Sequence, residues 1–519
     1  MDLEDNQLMN KGSFLSYSNF YASPFYLRTI SKLVGIDAAP LESAKILELG
    51  CAAGGNIIPF AVSFPGSQIV GIDSSEQYIK TAIELKNQLK LTNIDLIATD
   101  IMQLDLSIGK FDYIIVHDVF SWVSDEVQKK ILSICRENLN PLGLAFLSYH
   151  TLPGWNNLST VRDFALYHAQ NFETIPEKIN QVRLLFDYVS EVVQNSDSAY
   201  AKLMIETAEM LKSKPDFSIE HDFLDPKSKA CYFFQFIEAA TENALKYVVD
   251  ADIAKLYLDN YPKIIKDKIG KIDDPIRMEQ FLDFLTNRAF RQTILCHEDQ
   301  AINKILSIDL LPDFYFKMNL FYDSKMEEEE MKFYIQNNQE DFISTSNPIL
   351  KSIFMTLSEN PQYVSFNDVI SISGNRLNEV DFSAIEAQAK ISLMDLFLRG
   401  KLDVRADLIK VNTETVEFPK IWEYAVMQSK FLNQSTVTNL YFESVQLNLF
   451  EYYLIRHLDG KNSKEKIINK MLKHFKNGEL ETNYNGNKVT SDEKLVGVIS
   501  LAMIDAMVKF KAEALLVEC

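Results

Sequence analysis

The chain reads as an α/β protein: a doubly wound, mostly parallel sheet near the N-terminus, followed by helical and mixed α+β accessory domains. Two observations predict this. Between residues 45 and 150 short apolar runs alternate with amphipathic segments of helical length, and past residue 160 the texture changes to long amphipathic helices. At 519 residues the chain is also too long for one ordinary core.

The first part divides cleanly. "KILELG", "SQIVGID", "DLIATDI", "FDYIIVHDV" and "GLAFLSY" are rich in Ile, Val, Leu or Phe and close in polar or glycine turns, so they read as strands. "SSEQYIKTAIELKNQLKL" opens with Ser74 and Ser75 as N-cap candidates, and "DEVQKKILSICRENL" stops at "NPLG". Strands joined by such helices make right-handed crossovers, and a ligand belongs at their carboxyl ends.

Later segments are assigned more coarsely. "KINQVRLLFDYVSEVVQNS" and "DPIRMEQFLDFLTNRAFRQTIL" read as helices. In the next stretch "DFYFKMNLFYDS" and "EMKFYIQ" read as a hairpin across an acidic turn, "MEEEEM" being solvated. The domain reading is 1–44 lead-in or lid, 45–160 catalytic core, 161–305 helical middle domain, 306–415 mixed and winged-helix-like, 416–519 C-terminal and helical.

Composition excludes several classes. A net charge of −20 argues against a phosphate-tracking groove, and no basic recognition helix is evident, so no nucleic-acid partner is expected. Five scattered cysteines without a CxxC pair fit a reducing compartment and neither a zinc site nor a disulfide framework. The start "MDLEDNQLMN" is no signal peptide, and "LVGVISLAMIDAMVKF" contains Asp505 and is too short to cross a bilayer. A cytoplasmic protein without membrane insertion is expected.

"ILELGCAAGGN" leaves the first strand through Glu48, Gly50, Ala52, Gly54 and Asn56. It lacks the GK[ST] element of a phosphate loop, and an acid two residues before the glycine would repel phosphate but suit a cation. Asp73 ends the second strand, where a carboxylate can accept both ribose hydroxyls. Asp100 closes the third, where an adenine edge would lie. Ribose, adenine and positive charge together describe S-adenosylmethionine. Ser74 and Ile101 are assigned to the same cofactor-binding set.

On these motifs the 45–150 segment resembles the class I S-adenosylmethionine-dependent methyltransferases, with Ala52 at the middle glycine of E/D-x-G-x-G-x-G. The resemblance implies a Rossmann-like, seven-stranded sheet. More of the chain, through "FDYIIVHDVFSWV", "LSYHTLPGW", "NRAFRQTILC" and "LDGKNSKEKIINKML", resembles bacterial protein-lysine methyltransferases that carry a methyltransferase regulatory domain. Relatives there methylate lysines of outer-membrane protein B in obligate intracellular bacteria. The resemblance thus implies lysine N-methylation of a surface protein and a virulence-related role. The lead-in "YSNFYASPF" also matches, whereas "YLRTI" departs from the family's Thr-His-Pro.

Methyl transfer needs alignment, an outlet for the lysine's proton and acceptors for a cationic transition state. The end of the fourth strand offers His117, Asp118 and Trp122. His117, assigned to both the catalytic and the cofactor-binding set, borders the methionine moiety, and Asp118 is the candidate to bind the amine or relay its proton, although relatives often carry glycine there. After the fifth strand, Tyr149, His150 and Trp155 follow. Tyr149 joins the catalytic set, and Trp122, His150 and Trp155 wall a substrate channel. Tyr17, Tyr21 and Tyr26 are lid candidates over the cofactor. The remaining histidines are scattered and carry no assignment, and no metal is required. The accessory regions suit a protein-binding or homodimer-forming role. Two alternatives stay open: a small-molecule or lipid methyltransferase on the same fold, and a non-catalytic cofactor-binding scaffold.

Overall fold

The structure, a computed structural model, describes residues 17–518 apart from 304–305, 319, 323–328, 336–337, 379–380, 413, 415–416, 485–486 and 489–490. Residues 1–16 of the lead-in, much of the acidic run at 326–331 and Cys519 therefore lie outside the described residues.

Seven strands form the central sheet: β1 (Lys45–Leu49), β2 (Gln68–Asp73), β3 (Ile94–Ala98), β4 (Phe111–Val116), β5 (Leu139–His150), β6 (Leu245–Asp250) and β7 (Phe290–His297). Their order is β3-β2-β1-β4-β5-β7-β6, with β1 to β5 parallel and β7 antiparallel to both its neighbours. β1 lies between β2 and β4, with Leu47 opposite Val70 and Ile114. Strands covered on both faces need near-continuous apolar sequence, which is what β1 and β4 carry. Helices α1 (Pro24–Leu33), α2 (Ile57–Ser63) and α3 (Glu76–Gln88) pack on the face carrying Ile46, Tyr113 and Phe146. On the other face Leu47, Ile114 and Leu147 meet α4 (Asp125–Asn138).

Between β5 and β6 the chain makes α5 (Trp155–Ala169), α6 (Ile175–Val193) and α7 (Ala199–Ser213), which share a small core around Val182 and Phe186. A turn, α8 (Asp216–Ile219), runs into a π-helical stretch, Glu220–Leu224, and then α9 (Phe233–Glu242) packs beside α4. After β6 come α10 (Lys263–Ile269) and α11 (Pro275–Thr286).

Here the structure corrects the sequence expectation. The 161–305 stretch is not helical throughout, because it supplies β6 and β7 to the central sheet. The helix expected over 274–295 ends at Thr286, where Asn287 takes the left-handed conformation (φ 51°) that closes helices, and β7 follows. Polar Arg291, Gln292 and Thr293 interrupt the apolar run of β7 and hide it from pattern reading.

Arg291 and Thr293 are buried because they are paired, Thr293 with the Tyr149 hydroxyl. The Arg291 guanidinium forks onto Asp283 (2.8 and 2.9 Å), reaches Glu279 (2.9 Å) and lies 3.5 Å over the Phe233 ring. Arg288 holds Asp250 at 2.8 Å, and the Tyr247 hydroxyl donates to Glu279 at 2.8 Å. Burial pushes the Glu279 and Asp283 carboxyls up against the opposing pull of Arg291.

The accessory region is continuous with the core. Helices Pro348–Glu359, Phe366–Leu377 and Phe382–Leu398 surround a small sheet in which Tyr315–Lys317 pairs with Val364–Ser365 and Asp403–Arg405. The expected hairpin is only half present: Leu320–Phe321 pairs with Met331–Ile335, while Tyr315–Lys317 joins the other sheet. One apolar cluster runs from α1 through these helices, and Arg28 bridges to Asp407 at 3.1 Å. The C-terminal helices, ending in Asp492–Ala512, form a second core around Ile455 and Ile499. Among the described residues no helix is long and apolar enough to cross a membrane.

Arg291→Leu would strand three buried carboxylates with Arg288 as their one remaining close guanidinium. We expect a loss of about 3–5 kcal/mol in urea unfolding followed by circular dichroism. A loss below ~1 kcal/mol would mean the carboxylates are reached by water.

Candidate functional site

The carboxyl ends of β1, β2, β4 and β5 carry most of the residues singled out in the sequence. β1 leaves the sheet through Gly50 (φ 77°), where a side chain would meet the Val119 methyl at 2.2 Å, so the glycine is demanded by both conformation and packing. Ala52 is itself left-handed (φ 47°), and its N–H donates to Asp73 at 2.9 Å. The second Asp73 oxygen accepts from the Ser75 N–H at 2.8 Å. Asp73 thus faces the glycine loop, and a carboxylate's roughly four acceptor sites leave two unused. Ser75, not Ser74, caps α3, and Ser74 is exposed. Asp100 caps a short helical turn by accepting from the Met102 N–H at 2.7 Å, with Ile101 half-buried beside it.

A polar chain links the carboxyl ends of β1, β4 and β5 through the lead-in. Glu48 is buried and accepts from the Asn56 amide at 3.1 Å, while its other oxygen has no partner. Burial raises the Glu48 pKa to about 8, against the lowering effect of the Asn56 bond, so the carboxyl is largely protonated at neutral pH. The Asn56 oxygen accepts from the Asn19 N–H at 3.2 Å. The Asn19 side-chain oxygen takes the Ala22 N–H, which turns its NH₂ toward His117 Nε2 at 3.1 Å. Nε2 then accepts, and Nδ1–H donates to the Ser148 hydroxyl at 3.0 Å, which also accepts from the Asp118 N–H at 2.7 Å. His117 is held neutral, and burial lowers its pKa despite Asp118.

Asp118 is exposed and left-handed (φ 56°), the conformation glycine enters most easily, and its carboxylate accepts from the Trp122 indole N–H at 3.0 Å. Trp122, His150 and Trp155 do come together: Trp122 meets His150 edge-on at 5.0 Å, and His150 stacks on Trp155 at 3.4 Å. The His150 Nδ1 contacts the Ser228 hydroxyl at 3.2 Å, and burial lowers its pKa to about 4.

Tyr149 and the lid tyrosines differ from expectation. Strand alternation turns Tyr149 to the opposite side from His150, where it is fully buried, stacked on Phe236 at 4.0 Å and bonded to Thr293. It is a core residue, turned away from the side His150 faces, and not the catalytic residue the sequence leads one to expect. Tyr17 bonds Thr436, Tyr26 donates to the Ala251 carbonyl, and Tyr21 packs on Phe20 and Tyr26. Asn19, not these rings, ties the lead-in to the glycine loop.

Sequence reading also missed Arg162 and His221. The Arg162 guanidinium lies 4.9 Å over Trp122 and donates to the Asp225 carbonyl at 2.6 Å. His221 stands 4.4 Å from the Trp122 ring with Nδ1 on Asp222 at 3.0 Å. Burial alone would lower its pKa, but Asp222 and Asp118 together raise it. Neither residue carries a local signal, since both enter from the long β5–β6 excursion.

Three family descriptions match successive parts of the chain: "Methyltransferase domain" over 41–214, "Predicted methyltransferase regulatory domain" over 215–297 and "PKMT, C-terminal winged helix domain" over 417–515. PKMT2 from Rickettsia typhi, solved in complex with S-adenosylhomocysteine, superposes with a TM-score of 0.91 at 33% identity, covering 98% of this chain and all of that one. RP789, an uncharacterized protein of Rickettsia prowazekii, is 35% identical over 99% of this chain and 94% of its own length. This chain belongs to the PKMT family. It is an S-adenosylmethionine-dependent methyltransferase of class I fold. The buried, partnerless oxygen of Glu48 fits the cofactor's cationic end, and the spare acceptor sites of Asp73 fit its ribose. Among the described residues no three metal-ligating side chains are grouped to hold an ion.

Folded His150 and His457 both hold pKa values of about 4 against the ordinary 6.5. Their neutral forms therefore add stability that is present above pH ~6.5 and lost as pH falls toward ~4. Melting temperature against pH should fall across that window, and His150→Phe should shallow the slope. An unchanged slope would show that His150 takes its proton within the fold.

Proposed function

We propose that this PKMT-family methyltransferase methylates lysine side chains of a large outer-membrane or surface protein, in the cytoplasm before export. The observation that carries the reading is the mouth itself: an exposed Asp118 carboxylate beside a Trp122, His150 and Trp155 cluster, at the strand ends next to the glycine loop. A PKMT from Rickettsia matches over nearly the full length, which supports lysine as acceptor.

S-adenosylmethionine, when bound, supplies a methyl group activated by its sulfonium charge. Asp73 would accept from the ribose hydroxyls, Asp100 and Ile101 would border the adenine, with Ser74 at the rim, and the Gly50–Gly54 loop would lie along the methionine. Glu48 and Asn56 would take the amino group. His117, with both ring nitrogens engaged, shapes that pocket and moves no proton. At the mouth Asp118 receives the lysine ammonium. His221 is oriented through Nδ1 by Asp222, which leaves Nε2 to take the ammonium's proton before transfer. Trp122 and Trp155 give the alkyl chain an apolar wall and the cationic product a π-face. Free cysteines at 51, 135, 231 and 296 suit a reducing compartment.

Incubating the enzyme with labelled cofactor and recombinant outer-membrane protein fragments should give methyl-lysine by mass spectrometry, lost in Asp73→Ala. Label confined to small molecules or lipid would replace the reading with the metabolite alternative. A second measurement concerns Glu48. Its carboxyl is protonated near pH 7 and must ionise beside a cation, so cofactor binding should release a proton there and tighten as pH rises toward ~8. Calorimetry in buffers of different ionisation enthalpy would read this release, which Glu48→Gln should abolish. Equal heats in all buffers for the unaltered protein would place the amino group elsewhere.

A further inference from the structure

Outside the cleft, α9 and α11 enclose a groove of about 650 Å³ lined by Phe234, Ile237, Phe281 and Phe284, with Glu238, Glu242 and Asp274 at its edges. The three phenylalanines are 38%, 40% and 48% exposed, far more than rings of a closed core. We propose that this groove is a docking site for an extended, lysine-bearing segment of the methyl-accepting protein, a proposal that rests on the lysine reading above.

Charge selects the occupant. Glu238 and Glu242 stand one turn apart on α9, where like charges repel, and they form no ion pair among the described residues. Asp274 caps α11 by accepting from the Ile276 N–H, and Arg277 is the one basic side chain of the lining, lying 5.8 Å over the Phe281 ring. An apolar floor with excess negative charge at its rim is complementary to a segment that mixes lysines with apolar residues, and repels an acidic one. The size is that of a site for a few side chains.

Position selects it too. The chain from Ser228 to Tyr232 runs along the mouth: Ser228 contacts His150, the Cys231 N–H donates to the His150 carbonyl at 3.3 Å, and the Cys231 carbonyl accepts from Leu152 at 3.1 Å. Tyr232 then stacks with Phe234 at 5.8 Å and meets Phe284 at 5.5 Å. Cys231 and Phe234 are three residues apart, at most about 10 Å. The groove is rigidly placed, because Gln280 of α11 accepts from the Phe234 N–H at 3.2 Å while Glu279 and Asp283 on the inner face of α11 grip Arg291. One polypeptide can therefore lie on the groove while a neighbouring lysine reaches Asp118. None of these groove residues belongs to the cofactor or catalytic set.

The test uses a fluorescein-labelled, unstructured peptide in which lysines are interspersed with valine and phenylalanine, and a second peptide with glutamate replacing lysine. Fluorescence anisotropy on the full chain should show at least tenfold tighter binding of the lysine peptide. Glu238→Lys/Glu242→Lys should remove that preference, and Phe281→Ser/Phe284→Ser should weaken both peptides. With the lysine peptide as methyl acceptor, KM should rise fivefold or more in either variant while kcat and cofactor affinity stay unchanged. Equal binding of the two peptides by the unaltered protein, or unchanged binding by both variants, overturns the proposal. So does a dimer in size-exclusion chromatography that Phe281→Ser/Phe284→Ser converts to monomer, since the groove would then belong to a second copy. Groove-dependent binding without methyl-lysine would uphold the groove and sink the lysine reading, whereas methyl-lysine with groove-independent binding would do the reverse.

Discussion

The salt-bridged Arg291 is the contact on which the site's architecture turns. It sits on β7, the antiparallel strand between β5 and β6, and grips Glu279 and Asp283 on α11. Buried ion pairs of this kind contribute little net stability over an apolar core, but they are costly to break and so fix geometry. What is fixed here is the return of a 94-residue excursion, residues 151–244, to the sheet. That excursion supplies Arg162, His221, Ser228 and the α9 side of the outer groove, so the mouth takes its shape from a strand pairing on its far side.

A second constraint acts at the carboxyl ends of β1 and β4. Glu48, Asn56, Asn19, His117 and Ser148 form one hydrogen-bonded chain from β1 through the lead-in to β4 and β5. Each link fixes the next: the Ala22 amide orients Asn19, Asn19 sets the His117 tautomer, and Ser148 carries the backbone of Asp118. A buried polar chain satisfied along most of its length specifies one arrangement, and the second Glu48 oxygen is its unsatisfied end.

The sheet's first five strands and the placement of Asp73, Asp100, His117, Asp118, Trp122, His150 and Trp155 were legible because local pattern and strand-end position sufficed. Tyr149 was misplaced because neighbouring strand residues face opposite sides, and only packing tells which of Tyr149 and His150 faces the mouth. β7 was hidden because Arg291 and Gln292 are apolar neither in type nor in pattern, and the partners of the Arg291 guanidinium and the Gln292 N–H lie 8 and 42 positions away. Asn19 and His221 were unreadable for the same reason. Their roles come from atoms brought together by the fold, and a single polar residue in a loop has no periodicity to betray it.

The lead-in joins these constraints to the rest of the molecule. Asn19 contacts the glycine loop and His117, and Tyr17, two residues earlier, bonds Thr436 in the winged-helix part. Phe25 on the helix that follows packs against Phe442 from the same part and against Phe60 of α2. Ser23 caps that helix, so its start cannot shift without disturbing both sets of contacts. The glycine loop and the C-terminal part are therefore linked through fewer than ten residues of chain. Tyr17 and Asn19 are two residues apart, so the contact with Thr436 and the contacts that orient His117 and, through Ser148, the backbone of Asp118 share one short segment. The C-terminal part and the strand-end residues around the glycine loop therefore share one short connection, held at one end by Thr436 and Phe442 and at the other by Asn56 and His117.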